Sequence, residues 1–347
     1  MKRILISIAA AGFAFSAQAQ MPTLTAESGA PGGMSDVAIK NLAEVAASGK
    51  IAVIQEQTGK TLTKSILQVA QGKTDIAASP LILNFLMSRG LGPYSGLGKV
   101  KGKELAGNLR LLYPYHIAMF FLVSFQSTGI DSWEKLKGKT VFNGPPRGGA
   151  LITARQVIRL TTGFKDGKEY KGKQIAWGQS NALFLDRSVD AAVRPGTIPA
   201  EYMPLYSAAG KINLVGIPKA KYEGAVWQKF MKAPGYASVV VPKKLLEGFY
   251  GKNVRVITDD DKFRTVANTA GDVLHKKMPK ALAKKLTAAF IKGIPNLYKK
   301  VPFAKSQKIG VIDDNQMRYC AARIKMHPGA VEAWEEAGHK IPACAKP

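Results

Sequence analysis

Long apolar runs, cysteine, histidine and acid are all scarce in this chain. The one extended apolar run, residues 4–17, is too short to span a bilayer. It follows Lys2 and Arg3 and ends at Ala17-Gln18-Ala19, the pattern of a signal peptide cleaved after Ala19. Residues 1–19 are therefore expected to be removed, leaving a protein in the periplasm. In an exported chain two cysteines near one end, Cys320 and Cys344, imply one disulfide pinning the C-terminal tail. The four histidines, His116, His275, His327 and His339, are not spaced as zinc ligands usually are, so no metal is expected.

Catalytic motifs are also lacking. No paired carboxylates stand out for acid–base work. Gly-Lys-Thr occurs at 59–61, 72–74 and 138–140, but the upstream glycine of a Walker loop is replaced by Ile54, Leu67 and Trp133. Ser132-x-x-Lys135 lacks the partner motifs of acyl-serine enzymes, and Gly90-x-Gly92 lacks the third glycine of a dinucleotide loop. The expectation is a protein without cofactor and without catalysis. Short repeats and low-complexity segments are missing too.

Acids number 24 against 50 Lys and Arg, and without Lys2 and Arg3 the mature chain carries +24. Such an excess favours anionic ligands or an anionic surface. Nucleic acid is not expected, because the lysines are scattered and no aromatic-interleaved basic motif appears. The densest patch, residues 275–305, holds nine lysines and no acid. Leu282, Leu286, Phe290 and Ile294 recur through it at helical spacing, which predicts a helix with one buried face.

What the chain does have is alternating strand and helix, the pattern of an α/β protein. Thr23-Leu24-Thr25-Ala26 enters the loop Ser28-Gly29-Ala30-Pro31-Gly32-Gly33 and a helix over 35–47. Thr140-Val141-Phe142-Asn143 enters Gly144-Pro145-Pro146-Arg147-Gly148-Gly149 and a helix over 150–160. A strand that ends in a glycine loop before a helix aims free N–H groups at an anion. Two such elements predict two lobes sharing a cleft. Crossings near 115–123 and 236–241 predict lobe 1 from 20–120 plus 236–347, and lobe 2 from 121–235. Residues 90–107 read as an exposed excursion, Pro114 as a break between two strands, 175–177 as a strand, and the chain from Asp259 on as mostly helical.

Arg147 and Arg194 follow second-lobe strands and can grip a carboxylate with two parallel hydrogen bonds. Arg147 ranks ahead of Arg194. Trp177, Ser79, Thr58 and Thr61 fall at strand ends or in loops that should face the cleft. The expected ligand contacts are these with Ser28, Gly32, Gly33, Met34, Lys60, Gly148 and Gly149.

The ordered set of motifs resembles the TAXI family, the solute-binding subunits of tripartite ATP-independent periplasmic (TRAP) transporters. It comprises the loop 29–33, Gln57-Thr58-Gly59-Lys60-Thr61, Gln71-Gly72-Lys73-Thr74-Asp75-Ile76-Ala77, Leu136-Lys137-Gly138-Lys139-Thr140-Val141, the Gly-Pro-Pro-Arg-Gly-Gly loop, Asp190-Ala191-Ala192, His327-Pro328-Gly329-Ala330 and Trp334-Glu335-Glu336-Ala337-Gly338. The resemblance implies a two-lobed type II periplasmic-binding fold, with a hinge and an inter-lobe cleft. It implies a small carboxylate solute handed to integral membrane subunits. A monomer is expected. This chain departs from the family at Met34-Ser35-Asp36, where an aromatic residue is usual. It also has Arg147 and Ala150 where the second loop usually carries hydroxyls, which should favour a more strongly anionic ligand. An ATP-driven importer for sulfonates or other anions would have similar composition, and a periplasmic solute sensor is a further alternative.

Overall fold

The structure, a computed structural model, describes residues 21–347. The expected signal peptide, residues 1–19, lies outside the described residues. Strands β1 (Thr23–Glu27), β2 (Val53–Gln57) and β3 (Ile76–Pro80) run parallel in the order β2-β1-β3. Helices α1 (Met34–Ser48) and α2 (Leu62–Ala70) connect them. Ala38, Ile39, Leu42 and Ala46 of α1 are fully buried. Their spacing places them on one helix face, and covering that face holds α1 on the sheet.

Helix α3 (Leu81–Arg89) starts directly after Pro80 and ends at Gly90, whose φ of 62° permits the left-handed turn. The expected excursion at 90–107 is largely exposed, but it is helical rather than loose, and it packs through Tyr94, Gly102, Leu105 and Ala106. Helix α4 (Gly98–Ala106) lies against α3, and a Cβ on Gly102 would stand 2.2 Å from Met87 O. The glycines that suggest a loose segment here allow two helices to approach closely.

Strand β4 (Leu109–Phe125) then leaves this first group, unbroken at Pro114. The second group holds β5 (Thr140–Phe142), α5 (Gly149–Thr162), β6 (Lys171–Lys173), α6 (Trp177–Leu185), β7 (Ala191–Gly196) and β8 (Ile212–Val215). Strand β5 lies between β6 and β7, parallel to both. Ile175-Ala176-Trp177, expected as a strand, is the entry to α6; the neighbouring strand is the polar segment β6. Strands β9 (Tyr236–Pro242), β10 (Val254–Ile257) and β11 (Lys262–His275) follow. Strand β10 pairs with β8, and β9 pairs with residues 262–268 of β11.

Strand β11 stands where the sequence suggests helix. It is buried along nearly its whole length, so it lacks the alternation of a half-exposed strand. Residues 109–119 of β4 pair with 267–275 of β11. Beyond them β4 continues against β7, while residues 270–274 of β11 pair with β3. The pair β4/β11 thus joins the two lobes.

The lysine-rich helix forms over Lys280–Lys300, with Leu286, Phe290 and Leu297 buried. Phe290 stacks on Tyr113 at 3.5 Å between ring centroids. Burying each such side chain is worth roughly 1.5–3 kcal/mol, which fixes the helix while its lysines stay in solvent. Strand β12 (Lys325–Met326) completes the 12-stranded sheet. Among the described residues, no helix is long and apolar enough to cross a membrane.

Cys320 and Cys344 are disulfide-bonded with Cα atoms 5.7 Å apart. The bond closes a loop over a separation of 24 residues. In the chain-entropy model this contributes about 3 kcal/mol. Replacing both cysteines by Ser should lower the urea-unfolding free energy by about that amount. An unchanged midpoint would mean that the buried Ile341 and Ala345 hold the tail unaided.

Candidate functional site

The loops 28–33 and 144–148 meet across a cavity of about 250 Å³ between the lobes. Its walls come from the starts of α1, α2 and α5, the end of β3, the middle of β4, and the end of β7 with the segment after it. Of the sequence-predicted residues, Gly33, Met34, Lys60, Thr61, Arg147, Gly148, Gly149, Trp177 and Arg194 line it. Ser28, Gly32, Thr58 and Ser79 do not. Ser28 and Ser79 are fully buried at strand ends. Thr58 donates to Gly29 O at 3.2 Å, and the Gly32 N–H is taken by Asp36.

The two loops differ in what they leave free. In the first, Gly32 N–H donates to Asp36 Oδ2 at 2.9 Å, Gly33 N–H to Ala30 O at 3.1 Å and Gly29 N–H to Ser35 Oγ at 3.2 Å. These loop N–H groups are therefore already satisfied, and the carboxylate of Asp36 occupies the first turn of α1. Burial pushes the Asp36 carboxyl up, but Lys40 at 2.8 Å and the Gly32 N–H outweigh it and hold it below its ordinary range. An ionised acid at a helix start satisfies the local dipole, which removes much of this end's appetite for another anion.

The second loop has no such acid. Helix α5 begins after Gly148 with neither a side-chain cap nor a carboxylate in its first turn. The φ of Gly148 is 107°, a conformation that glycine adopts freely. A Cβ on Gly148 would stand 3.9 Å from Thr63 Cγ2, and one on Gly149 3.8 Å from Ile82 Cγ2. This loop of the second lobe therefore lies against the first. Arg147 is exposed beside it at the cavity mouth.

Arg194 is a buried cation on the cavity wall. It is only 5% exposed. Its Nη1 donates to Asn181 Oδ1 at 2.9 Å and to the Tyr206 hydroxyl, and its guanidinium stacks over Tyr202 at 3.9 Å. Among the described residues it has no carboxylate within ion-pair distance, and its Nε has no partner. A buried charge held only by neutral groups is costly unless an anion completes it.

Further groups that the sequence did not point to line the same cavity. Asn268, in the middle of β11, has its Oδ1 occupied by Thr153 Oγ1 at 3.2 Å and its buried Nδ2 unpartnered. Glu201 accepts from Thr197 N at 3.0 Å and Thr197 Oγ1 at 3.1 Å. Leu83, Ile117 and Phe120 supply apolar wall, together with Trp177, which meets Phe142 edge-on. Thr197 lies just past Arg194-Pro195-Gly196, read from sequence as a loop but the end of β7 in the structure, a modest signal for it. Asn268 left none, because its strand reads as helix. Among the described residues no cluster of three metal-ligating side chains occurs.

Two lobes, a pair of joining strands and a cleft walled by both lobes define the class: a two-lobed α/β protein with an inter-lobe pocket. The chain belongs to the NMT1-like family, whose model matches residues 33–338. No curated protein matches it. Its fold is similar to that of a TRAP periplasmic solute-binding protein from Desulfovibrio salexigens in complex with diglycerolphosphate, at 13% identity, with 94% of this chain and 93% of that chain covered and a TM-score of 0.47. A TRAP periplasmic solute-binding protein from Shewanella oneidensis with bound succinate has 8% identity, 91% coverage of each chain and a TM-score of 0.47. A putative periplasmic sulfonate-binding protein of an ABC transporter from Methylobacillus flagellatus KT has 14% identity, 90% and 76% coverage and a TM-score of 0.44.

Proposed function

We propose that this protein is a periplasmic solute-binding protein that captures a small organic carboxylate between its lobes and delivers it to the membrane subunits of a TRAP transporter, as a TAXI-type receptor. The observation that carries the reading is Arg194: a buried guanidinium on the cleft wall, without a counter-ion among the described residues. The ligand carboxylate takes that place. The unpartnered Asn268 Nδ2 and the N–H groups opening α5 add hydrogen bonds. Arg147 closes over the mouth, and Trp177, Phe120 and Leu83 cover the apolar part of the solute. The assignment of Arg194 as anchor and Arg147 as mouth residue reverses the order given by sequence alone, because a desolvated charge interacts more strongly than an exposed one.

The division between lobes that supports this reading keeps residues 20–120 in the first lobe. We put the return along β11 rather than at Tyr236, since β10 pairs with β8 and the β9 residues Ala237 and Val239 share an apolar cluster with Phe184 and Leu214. The binding step involves no chemistry, so the solute is recovered unchanged.

A thermal-shift screen of the protein lacking residues 1–19, against carboxylates, oxo acids, amino acids and sulfonates, tests the proposal. Ligand at a hundred times its dissociation constant adds about 2.7 kcal/mol of stability. Arg147→Ala should weaken the responding ligand by about tenfold, the effect of one exposed charge-assisted contact. If no compound shifts the transition and the denatured protein releases no small molecule, solute capture is not its task.

A further inference from the structure

A second cavity, of about 500 Å³, lies behind the hinge. It does not share a lining residue with the cleft. One wall is second-lobe: Lys232 and the strand β9, with Met119 beside them where β4 crosses between the lobes. The other is the C-terminal segment around Lys308 and Arg318, and His116 lies on β4 where the chain passes between the lobes.

Three observations make this more than a surface crevice. First, its lining includes three cations, Lys232, Lys308 and Arg318, and no carboxylate. Among the described residues none of the three forms an ion pair. The nearby acids Asp313 and Asp314 are engaged elsewhere: Asp313 accepts from Asn315 N and Gln316 Nε2, and Asp314 from Cys320 N. Second, two polar atoms here are buried without partners, Arg318 Nε and His116 Nδ1. His116 is 3% exposed, and its other ring nitrogen contacts Gln316 O at 3.1 Å. Third, much of the remaining wall is apolar, with Met119, Met231, Val239 and Leu245, beside neutral polar residues such as Gln228 and Ser238. Unpaired cations beside an apolar wall and unsatisfied polar groups match the chemistry of a small amphipathic anion.

We propose that this cavity is a second binding site, for a small organic anion with an apolar body. The carboxylate end sits among Lys232, Lys308 and Arg318, and the body lies on Met119 and Val239. The site is independent of the reading of the cleft, since its residues are different. Because its walls belong to both lobes, its occupant touches the two bodies whose relative position sets the cleft.

The test is a titration of the purified protein with hexanoate, followed by the ring resonances of His116 in NMR spectra. They should move saturably below about 10 mM, the range of weak small-anion binding. The half-saturation concentration should be unchanged in Arg194→Gln. Arg147→Ala serves the same purpose should the buried position not tolerate substitution. It should rise about tenfold in Lys232→Ala/Lys308→Ala, whose two side chains are exposed and leave the fold intact. Inorganic phosphate, which lacks an apolar body, should bind more weakly than hexanoate. Absence of a saturable His116 shift overturns the proposal. So does a shift that responds to Arg194→Gln and not to the double lysine variant, since hexanoate would then be acting from the cleft.

Discussion

Arg194→Ala should lower solute affinity by about 100-fold to 1,000-fold, the range in which removing one side of a buried, hydrogen-bonded charge pair falls. The guanidinium is already desolvated, oriented by Asn181 and Tyr206, and stacked on Tyr202. The ligand therefore meets a preorganised cation and loses little to ordering it. Arg194→Lys should recover only part of the loss, because an ammonium cannot make two parallel hydrogen bonds to a carboxylate. Titration calorimetry with the solute from the thermal-shift screen measures both. An Arg194→Ala protein that folds and binds with wild-type affinity would leave this arginine a packing role against Tyr202 and nothing more.

Asp272→Asn should become progressively more stable than the wild type as pH rises from 4 to 7. Asp272 is fully buried on β11 and accepts from the Tyr113 hydroxyl at 2.6 Å and the Tyr115 hydroxyl at 2.7 Å. Burial pushes its carboxyl up to about 7, against the pull of the two hydroxyls. The unfolded chain releases this proton near pH 4, while the folded chain keeps it until about pH 7. Between those limits the folded state holds more protons, so the stability contributed by this residue is lost as pH rises through the window. A shift of that size is worth about 4 kcal/mol. Asparagine keeps an acceptor for one tyrosine and offers a donor to the other, without a charge to bury. His116 works in the opposite sense: burial lowers its pKa to about 4 and holds it neutral. The wild-type profile alone therefore mixes the two. The difference between wild type and Asp272→Asn in urea unfolding at pH 5 and pH 8 isolates Asp272. A difference that does not change with pH would mean that the buried carboxyl ionises as freely as an exposed one.

Much of the site's framework is legible without coordinates, because it is local. Apolar spacing and glycine loops mark α1 and α5 and the strands that feed them, each within a few dozen residues. The buried face of the lysine-rich helix is likewise written in the spacing of Leu286 and Phe290. The same local reading fails where one signal has two physical uses. Glycines at 90–107 suggest a loose excursion, and the segment is exposed, but Gly102 admits the close approach of α3 and α4 and the segment is helical. Strand β11 is covered on both faces, so it shows no period of two and passes for helix; Asn268 and Asp272 disappear with it.

The sequence by itself determined the alternating architecture, the pairing of the two cysteines and the placement of Arg147 just beyond a strand. These depend on neighbours in the chain and on the count of candidates. Arg194, expected in a loop, lies within β7 opposite Phe121. Only the tertiary structure decided that the first glycine loop satisfies its own N–H groups through Asp36 and Ser35, and that Arg194 is buried without a counter-ion. It alone brought Asn268 to the cleft and His116 beside Arg318. Burial and hydrogen-bond partnership are set by residues tens to hundreds of positions away, and no local pattern records which of them will meet.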